Sequence, residues 1–399
     1  MPVIDSLTQH GMGRIIGGAL IPRTLPGEEI DILTDDSIRI LRPSVHRVTP
    51  PCRHYKSCGG CAMQHADDAF VAGWKIGIVQ KALEGQRLDA PIRGIDTSAP
   101  QTRRRAKLSG RRTKHGAMVG FHARASDALV AVPDCKLLTP ALVALIPVLE
   151  KLTILAASRK TEVGFTVTDS RVGADVMVET DRPLTEDLRI ELAQFAQTHA
   201  LARLTWGDET VVTITPPVQM FGPSQVTPPP GAFLQATAQG EAALLAAVTE
   251  ICGKAGRIVD LFAGSGTFTL PLAHQAEMLA VESEAEMLTA LNRGWRATPG
   301  LKRVTTEVRD LFRRPLLPDE LNRFDAVIID PPRAGAEAQV AELAASQIKA
   351  IAMLSCNPVT FARDARKLVD AGFVMDWVQV VDQFRWSTHV ECVARLTRS

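Results

Sequence analysis

Residues 324–364 read FDAVIIDPPRAGAEAQVAELAASQIKAIAMLSCNPVTFARD, and this stretch decides the fold of the C-terminal part of the chain. Two short apolar runs, residues 324–329 and 350–354, have the length and composition of buried strands. Residues 337–346 lie between them and have the length of a helix. We therefore expect two parallel strands joined by a right-handed crossover.

Each of these strands runs into a polar turn. The first ends in DPPR at residues 330–333, and the second ends in SCNP at residues 355–358. Open α/β sheets bind ligands beyond the carboxyl ends of their strands, so both turns should lie at one binding edge. A thiol beside a carboxylate at that edge suggests a nucleophile, although a lone buried cysteine is more often structural.

Working outward, residues 257–308 repeat the alternation of strand and helix. The stretch DLFAGSGT at residues 260–267 places Gly264 and Gly266 in the first strand–helix turn, where a ligand can approach the backbone and a helix N-terminus. A dinucleotide-binding domain is the obvious rival, but its fingerprint needs a small residue at position 269, where Thr stands. Glu282 could bind ribose hydroxyls, and Asp310 could face an adenine amino group. S-adenosylmethionine fits this layout.

The composition sets broad limits. The chain has 399 residues, of which 46% are hydrophobic, and this length predicts two or three domains. The formal net charge of +1 gives no general attraction to polyanions, so any such site must come from local clustering. No signal pattern or membrane-spanning apolar run is found, and seven cysteines do not suggest a disulfide framework. We expect a cytoplasmic protein with no membrane partner.

Residues 3–45 contain short β-like runs that predict a small antiparallel barrel or sheet. The segment has no basic cluster, so a β-module without chemistry of its own and an RNA-contacting module both stay open. The turn signals that separate the runs are Gly17-Gly18, Pro26-Gly27 and Asp35-Asp36.

A cysteine pattern follows. Cys52, Cys58 and Cys61 have the spacing C-x5-C-x2-C, so three thiolates can converge from one loop, and Cys135 is the best candidate for a fourth ligand. Four thiolates suit either an iron–sulfur cluster or structural zinc. A triplet joined to a distant single cysteine favours iron–sulfur over the paired C-x2-C knuckles of zinc sites.

Residues 66–84 read as an amphipathic helix whose Phe70, Trp74 and Ile78 should face the core. Residues 103–115 then hold seven cations and no acid, which favours contact with nucleic acid over a merely solvated strand pair. Residues 125–215 mix strand-like runs with two helices and predict an α+β domain. The predicted RNA-binding residues are Arg103, Arg104, Arg105, Lys107, Arg111 and Arg112.

Together with His389-Val390-Glu391, the DPPR and SCNP motifs resemble those of RNA uracil-5-methyltransferases. The cysteine pattern is similar to that of the iron–sulfur branch that modifies 23S ribosomal RNA in bacteria. The resemblance covers nearly the whole chain. It implies a TRAM-like OB-fold module over residues 1–48 and a central iron–sulfur and RNA-binding domain over residues 49–222, whose helix at 66–90 packs on the catalytic domain. Residues 223–399 would form a Rossmann-like class I methyltransferase domain that ends in an antiparallel hairpin.

The resemblance also implies residue roles. Cys356 would be the nucleophile, Glu391 the proton acceptor, and the four cysteines the ligands of a [4Fe–4S] cluster. Thr267 and Thr237 stand where the family often has Asn, Lys136 stands where Pro is usual, and Arg385-Trp386 alters the approach to Glu391. These departures bear on the target nucleotide. Besides Gly264, the implied S-adenosylmethionine-binding residues are Gln235, Phe262, Thr267, Glu282, Asp310 and Asp330.

The chemistry agrees with these roles. Uracil C5 is a weak nucleophile, and a thiolate that adds at C6 turns the ring into an enolate whose C5 can take a methyl group. A base must then remove the C5 proton before the thiol leaves. The uracil must also leave its stack, so we expect a looped or single-stranded RNA target. The resemblance to the iron–sulfur branch implies that this target is ribosomal RNA. Nothing in the sequence suggests an oligomer, so we expect a monomer.

Two rivals stay open at this point. An amino-methyltransferase would need no thiol, and it commonly has an aromatic residue after Asn/Asp-Pro-Pro, where Arg333 stands here. A non-enzymatic RNA-binding or assembly factor would use only the cluster and the basic segment. Methyl transfer from labelled cofactor to unmodified RNA distinguishes all three.

Overall fold

The N-terminal segment consists of short antiparallel strands packed around Ile4, Ile21 and Ile30. The computed structural model describes residues 1–33 and 37–398, so the turn predicted at Asp35-Asp36 lies outside the described residues. The predicted small antiparallel module is confirmed, and it fits an OB-like arrangement. Its strands are β1 (Ile4–Leu7), β2 (Met12–Ile15), β3 (Leu20–Pro22), β4 (Glu29–Ile32) and β5 (Ile38–Arg42).

Helix α1 (Asp68–Gly85) begins where the side chain of Asp67 accepts a hydrogen bond from the Phe70 amide, which caps the helix. It packs against the C-terminal part of the chain, and strand β6 (Ile92–Thr97) follows it. The stripe of Phe70, Trp74 and Ile78 is partly buried and packs against buried hydrophobic clusters, so it faces the core as predicted. The most deeply buried face lies one position further round the helix and consists of Val71, Lys75, Val79 and Leu83.

The central segment forms a sheet covered by two helices. Among the described residues this sheet has seven strands in the order β13-β12-β11-β10-β7-β8-β9, all antiparallel except the β11–β12 pair. The helices bury Leu145, Leu149 and Leu192 on one face of it. The elements are β7 (Arg105–Arg112), β8 (Ala117–His122), β9 (Leu129–Ala131), α2 (Pro140–Ala156), β10 (Glu162–Ser170), β11 (Gly173–Glu179), α3 (Glu186–Thr198), β12 (Arg203–Trp206) and β13 (Glu209–Thr213).

A short hairpin then leads to the C-terminal α/β unit, whose strands and helices alternate as the sequence predicts. The elements are β14 (Gln219–Phe221), β15 (Ser224–Val226), α4 (Ala238–Cys252), β16 (Arg257–Leu261), α5 (Thr269–Leu272), β17 (Glu277–Glu282), α6 (Ala285–Ala297), β18 (Val304–Val308), α7 (Pro318–Leu321), β19 (Ala326–Ile329), α8 (Glu337–Ala345), β20 (Ala350–Ser355), α9 (Pro358–Asp370), β21 (Val374–Asp382) and β22 (Glu391–Thr397).

In the described part of the chain the large sheet has the order β18-β17-β16-β19-β20-β22-β21-β6. Strands β16 to β20 are parallel, whereas β22 runs antiparallel to β20 and to β21, which confirms the terminal hairpin. Strand β6 adds to the outer edge, parallel to β21, although it precedes the central sheet in sequence. The fold is therefore α/β with a mixed sheet, as predicted.

Helices cover both faces of this sheet, because its central strands are apolar on both sides. All four residues of β19 are buried, and so are five of the six in β20. Helices α1, α8 and α9 pack on one face, while α4 and α6 pack on the other. Helix α5 has only four residues, because β17 already begins at Glu277. No helix within residues 1–33 and 37–398 combines the length and the apolar character that crossing a membrane requires.

Candidate active site

A cavity of about 430 Å³ lies at the carboxyl edge of the parallel strands. Gly264 and Gly266 form the turn after β16 with φ of 56° and 96°, a backbone conformation that favours glycine. A side chain at Gly266 would come within 2.9 Å of Leu291 Cγ, whereas Gly264 has open space in front of it. The sequence-predicted residues that line this cavity are Gln235, Phe262, Gly264, Thr267, Glu282, Asp310, Asp330, Cys356 and Glu391.

Two residues of the cavity follow directly from the strand pairing. In the antiparallel ladder of β20 and β22, Ser355 pairs with Cys392. Cys356 directly follows the end of β20, and Glu391 precedes Cys392 at the start of β22, so the pairing brings these two residues side by side. A thiol and a carboxyl group thus meet in one cavity from chain positions 35 residues apart.

The two polar turns are tied to each other. The Asn357 side chain donates to the Arg333 carbonyl at 2.9 Å, and the Thr360 hydroxyl donates to the same oxygen at 3.2 Å. Asn357 also accepts from the Val359 amide at 3.1 Å and caps α9, which fixes Cys356 just before the helix. The DPPR and SCNP motifs therefore form one rigid rim of the cavity.

Burial raises the pKa of two carboxyl groups that line the cavity, those of Asp330 and Glu391. Burial raises the pKa of Asp330 to about 7, although the Gln235 side chain donates to its Oδ2 at 3.3 Å. Burial and the neighbouring Asp330 raise the pKa of Glu391 well above its usual range, and a hydrogen bond from Gln383 opposes them. Below the glycine turn, burial raises the pKa of Asp260 to about 7 against a hydrogen bond of 2.6 Å from Thr269.

The thiol is held in its protonated form as well. Burial raises the pKa of Cys356 to about 11, with Glu391 and Asp330 acting in the same direction and Arg333 in the opposite one. Only the thiolate is nucleophilic, so only a small fraction of Cys356 in the free protein is in the reactive form at neutral pH.

Glu282 and a pair of aromatic rings line the side of the cavity next to the glycine turn. Glu282 accepts from the Gly264 amide at 3.1 Å and from the Ser283 amide at 2.6 Å, so its carboxylate is fixed beside the glycine turn. The rings of Phe262 and Phe312 lie 5.6 Å apart between their centroids. Sequence reasoning missed Phe312, which comes two residues after Asp310 and is recognisable only by its position in the cavity.

The four predicted metal ligands lie in one neighbourhood. Burial raises the pKa of Cys61 to about 12, and the thiols of Cys135, Cys58 and Cys52 add to that effect through space. Asp134, next to Cys135, bridges to His54 at 2.9 Å and to Arg53 at 3.3 Å, which holds the cysteine loop against the 132–135 turn.

These residues fit a sulfur-ligated group in part. The Gly60 amide donates to Cys58 Sγ at 3.4 Å, as amides do around metal-bound sulfur, and a side chain at Gly59 would come within 2.6 Å of the His122 carbonyl. Across residues 1–33 and 37–398, however, no three or more His, Cys, Asp or Glu side chains are arranged to hold a metal ion. The metal site therefore stays a prediction.

The basic segment is largely paired in the tertiary structure. Arg104 bridges to Glu241, Lys107 to Glu179 at 3.1 Å, and Arg111 to Glu162 at 2.8 Å. The side chain of Arg105 donates to the Gly231 carbonyl at 2.9 Å, and Arg112 is partly buried at the end of β7. Acids that are distant in sequence thus compensate cations that look unpaired in the sequence.

Arg103 differs from its neighbours. It lines a second cavity of about 530 Å³ next to the cysteine loop, together with His10, Arg124 and His389. The described residues that line this cavity include no Asp or Glu. Its guanidinium lies 6.0 Å from the Phe384 ring, which is the ring that His389 contacts edge-on at 5.7 Å.

Comparison with known proteins agrees with the fold. The crystal structure of Pyrococcus abyssi tRNA (uracil-54, C5)-methyltransferase with S-adenosyl-L-homocysteine superposes with a TM-score of 0.77 at 21% identity, over 100% of this chain and 99% of that one. The fold is therefore that of an α/β methyltransferase. The family model for tRNA (uracil-5-)-methyltransferase matches residues 297–399.

Relatives match along nearly the whole chain. An uncharacterized RNA methyltransferase of Mesorhizobium japonicum is 42% identical over 388 residues, which cover 96% of this chain and 93% of the relative. The 23S rRNA (uracil(1939)-C(5))-methyltransferase RlmD of Shewanella halifaxensis is 30% identical over 411 residues, with 96% and 91% covered. The chain belongs to the RNA uracil-5-methyltransferase family.

Proposed function

We propose that the protein transfers the methyl group of S-adenosylmethionine to C5 of a uridine in 23S ribosomal RNA through a covalent adduct with Cys356. The observation that carries this proposal is the placement of Cys356 and Glu391 across the β20–β22 ladder, in the cavity that also contains the glycine turn. The named target of the Shewanella relative supports 23S RNA as the substrate.

The residues divide the reaction between them. The Cys356 thiolate adds to C6 of the uracil, and the electron pair displaced from the C5–C6 double bond makes C5 nucleophilic. Bound S-adenosylmethionine supplies the methyl group that C5 takes. Glu391 then removes the C5 proton, the double bond re-forms, and the C6–S bond breaks to return the thiolate. The raised pKa of Glu391 makes its carboxylate a stronger base for this proton than an exposed glutamate would be.

We also propose where the cofactor binds. At the glycine turn the cofactor can lie close to the backbone. The Glu282 carboxylate accepts hydrogen bonds from the ribose hydroxyls, and the rings of Phe262 and Phe312 flank the adenine ring. Gln235, Thr267, Asp310 and Asp330 complete this side of the same cavity.

For the cysteine region we propose a [4Fe–4S] cluster on Cys52, Cys58, Cys61 and Cys135. The influence of the other three thiols on Cys61, the N–H donor on Cys58 and the tight approach at Gly59 support it. Arg103 lies near Cys135 and Cys61, so its charge would offset that of the thiolates. The cluster would fix the loop that shapes the Arg103 cavity, and it needs no redox role.

The experiment compares Cys356→Ala and Glu391→Gln on a 23S RNA fragment that lacks the modification, with labelled methyl donor. We expect no transfer by Cys356→Ala. Glu391→Gln should transfer the methyl group and then accumulate a protein–RNA adduct that resists denaturation. Transfer by Cys356→Ala, or methylation of an exocyclic nitrogen, would contradict the proposal, and transfer RNA serves as the control substrate.

A further inference from the structure

Gln383 follows β21 in the loop that leads to Glu391, and it is 2% exposed. Its Nε2 donates to Gln235 Oε1 at 2.6 Å and to Glu391 Oε2 at 3.1 Å, while its Oε1 accepts from the Ala236 amide at 2.7 Å. Two acceptors face the nitrogen and one donor faces the oxygen, so only one orientation of this amide satisfies all three contacts.

The chain of hydrogen bonds continues beyond Gln383. Gln235 accepts at its oxygen and donates from its Nε2 to Asp330 Oδ2 at 3.3 Å. Two uncharged amides in series thus connect the carboxyl groups of Asp330 and Glu391, and each carboxyl group receives an N–H donor. The direction of both amides is set by the Ala236 backbone through Gln383.

The surroundings hold Gln383 in place. The preceding residue, Asp382, is ion-paired with the buried Lys75 at 2.5 Å and accepts from the Phe384 amide at 3.1 Å, so the backbone is fixed on both sides. A side chain at Gly240, in the first turn of α4, would come within 2.6 Å of Gln383 Cβ, which shows how closely the helix packs on it. Gln383 is therefore buried and held by its neighbours on both sides of the chain.

From this geometry we propose that Gln383 is a positioning residue, which orients the Glu391 carboxyl group for removal of the C5 proton and fixes the amide of Gln235. One carboxylate oxygen of Glu391 is engaged by Gln383, and the other is left for the substrate. The inference rests on the proposed role of Glu391 as the base. It assigns a role to a residue for which the sequence motifs gave none.

The test is single-turnover methylation of the 23S fragment by Gln383→Leu, which keeps the volume and removes the donor. We expect methyl transfer with adduct resolution slowed roughly ten- to a hundredfold, since a hydrogen bond to a charged group is lost. Denaturation-resistant adduct should accumulate, as with Glu391→Gln. Gln383→Met, which keeps an unbranched side chain, should accumulate the adduct in the same way. It is the second variant to test if the leucine variant does not fold.

Gln339→Leu is the matched control. Gln339 is also fully buried, but within residues 1–33 and 37–398 its amide bonds only the Leu316 backbone, at 2.8 and 3.1 Å, and it does not line the cavity. This variant should resolve its adduct at the wild-type rate. If Glu391→Gln accumulates adduct and neither Gln383 variant does, the inference on Gln383 is wrong while the proposed function stands. If Glu391→Gln accumulates none, the proposed function itself fails.

Discussion

Lys75→Met should destabilise the protein severely, although residue 75 is distant from the cavity in sequence and belongs to α1. The Lys75 side chain is fully buried, and its Nζ lies 2.5 Å from Asp382 Oδ1 and 3.1 Å from the Phe384 carbonyl. The variant leaves the Asp382 carboxylate buried without its cation, and its Oδ2 already has no partner in the described part of the chain. Breaking a buried pair in this way costs about 3–5 kcal/mol.

That loss is a large share of the about 5–15 kcal/mol by which a folded domain is stable. Lys75→Met combined with Asp382→Asn should recover part of it, because the asparagine is neutral and can still accept from the Phe384 amide. The double-mutant cycle should therefore give a coupling free energy of about 2 kcal/mol or more.

The assay is urea unfolding followed by circular dichroism, with the free energy of unfolding obtained for each variant. Lys107→Met is the matched control, because Lys107 pairs with Glu179 at 3.1 Å with both side chains exposed. An exposed pair contributes about 0–1 kcal/mol, so this control should unfold almost as the wild type does. If Lys75→Met costs no more than Lys107→Met, our reasoning about the buried pair is refuted.

Three further predictions concern the cavity, the RNA and the cysteines. The pKa of Cys356 is raised to about 11 and only the thiolate reacts, so alkylation of Cys356 by iodoacetamide in the free protein should speed up about tenfold per pH unit from pH 7 to 10. An alkylation rate that reaches a plateau below pH 8 would contradict this. Arg103→Ala should weaken binding of the 23S fragment and reduce by about 1 the slope of log binding constant against log salt concentration. Lys107→Ala should have a smaller effect on both, and equal losses would count against a special role for Arg103. Anaerobically purified protein should carry about four irons per chain, and Cys58→Ser should lose them; one zinc and no iron by metal analysis would favour structural zinc instead.

Much of the α/β unit follows from local sequence. The strands at residues 326–329 and 350–355 are short apolar runs between turn residues, and a helix-length segment between two such runs predicts buried parallel strands. Because the carboxyl ends of parallel strands share one edge, the DPPR and SCNP motifs and the glycine turn had to meet there. The residues predicted to bind cofactor and substrate accordingly line one cavity.

Other features depend on contacts between distant parts of the chain, and no local pattern encodes them. From the sequence, a lysine at position 75 of a helix would be expected to face solvent. In the structure it is paired with Asp382, which is 307 residues away. The cations of residues 103–115 have no acidic neighbours in the sequence. In the structure, Glu241, Glu179 and Glu162 pair with three of them. Gln383 carries no motif at all, and its three hydrogen bonds exist only because α4 and β22 pack around it. The sequence by itself determined the strands, the turns and the chemical groups at the binding edge, because these depend on residues close together in the chain. Only the tertiary structure decided which charges are paired and which amide bonds the Glu391 carboxyl group, because a buried polar group is stabilised by whichever partner the packing of remote segments brings within hydrogen-bond distance.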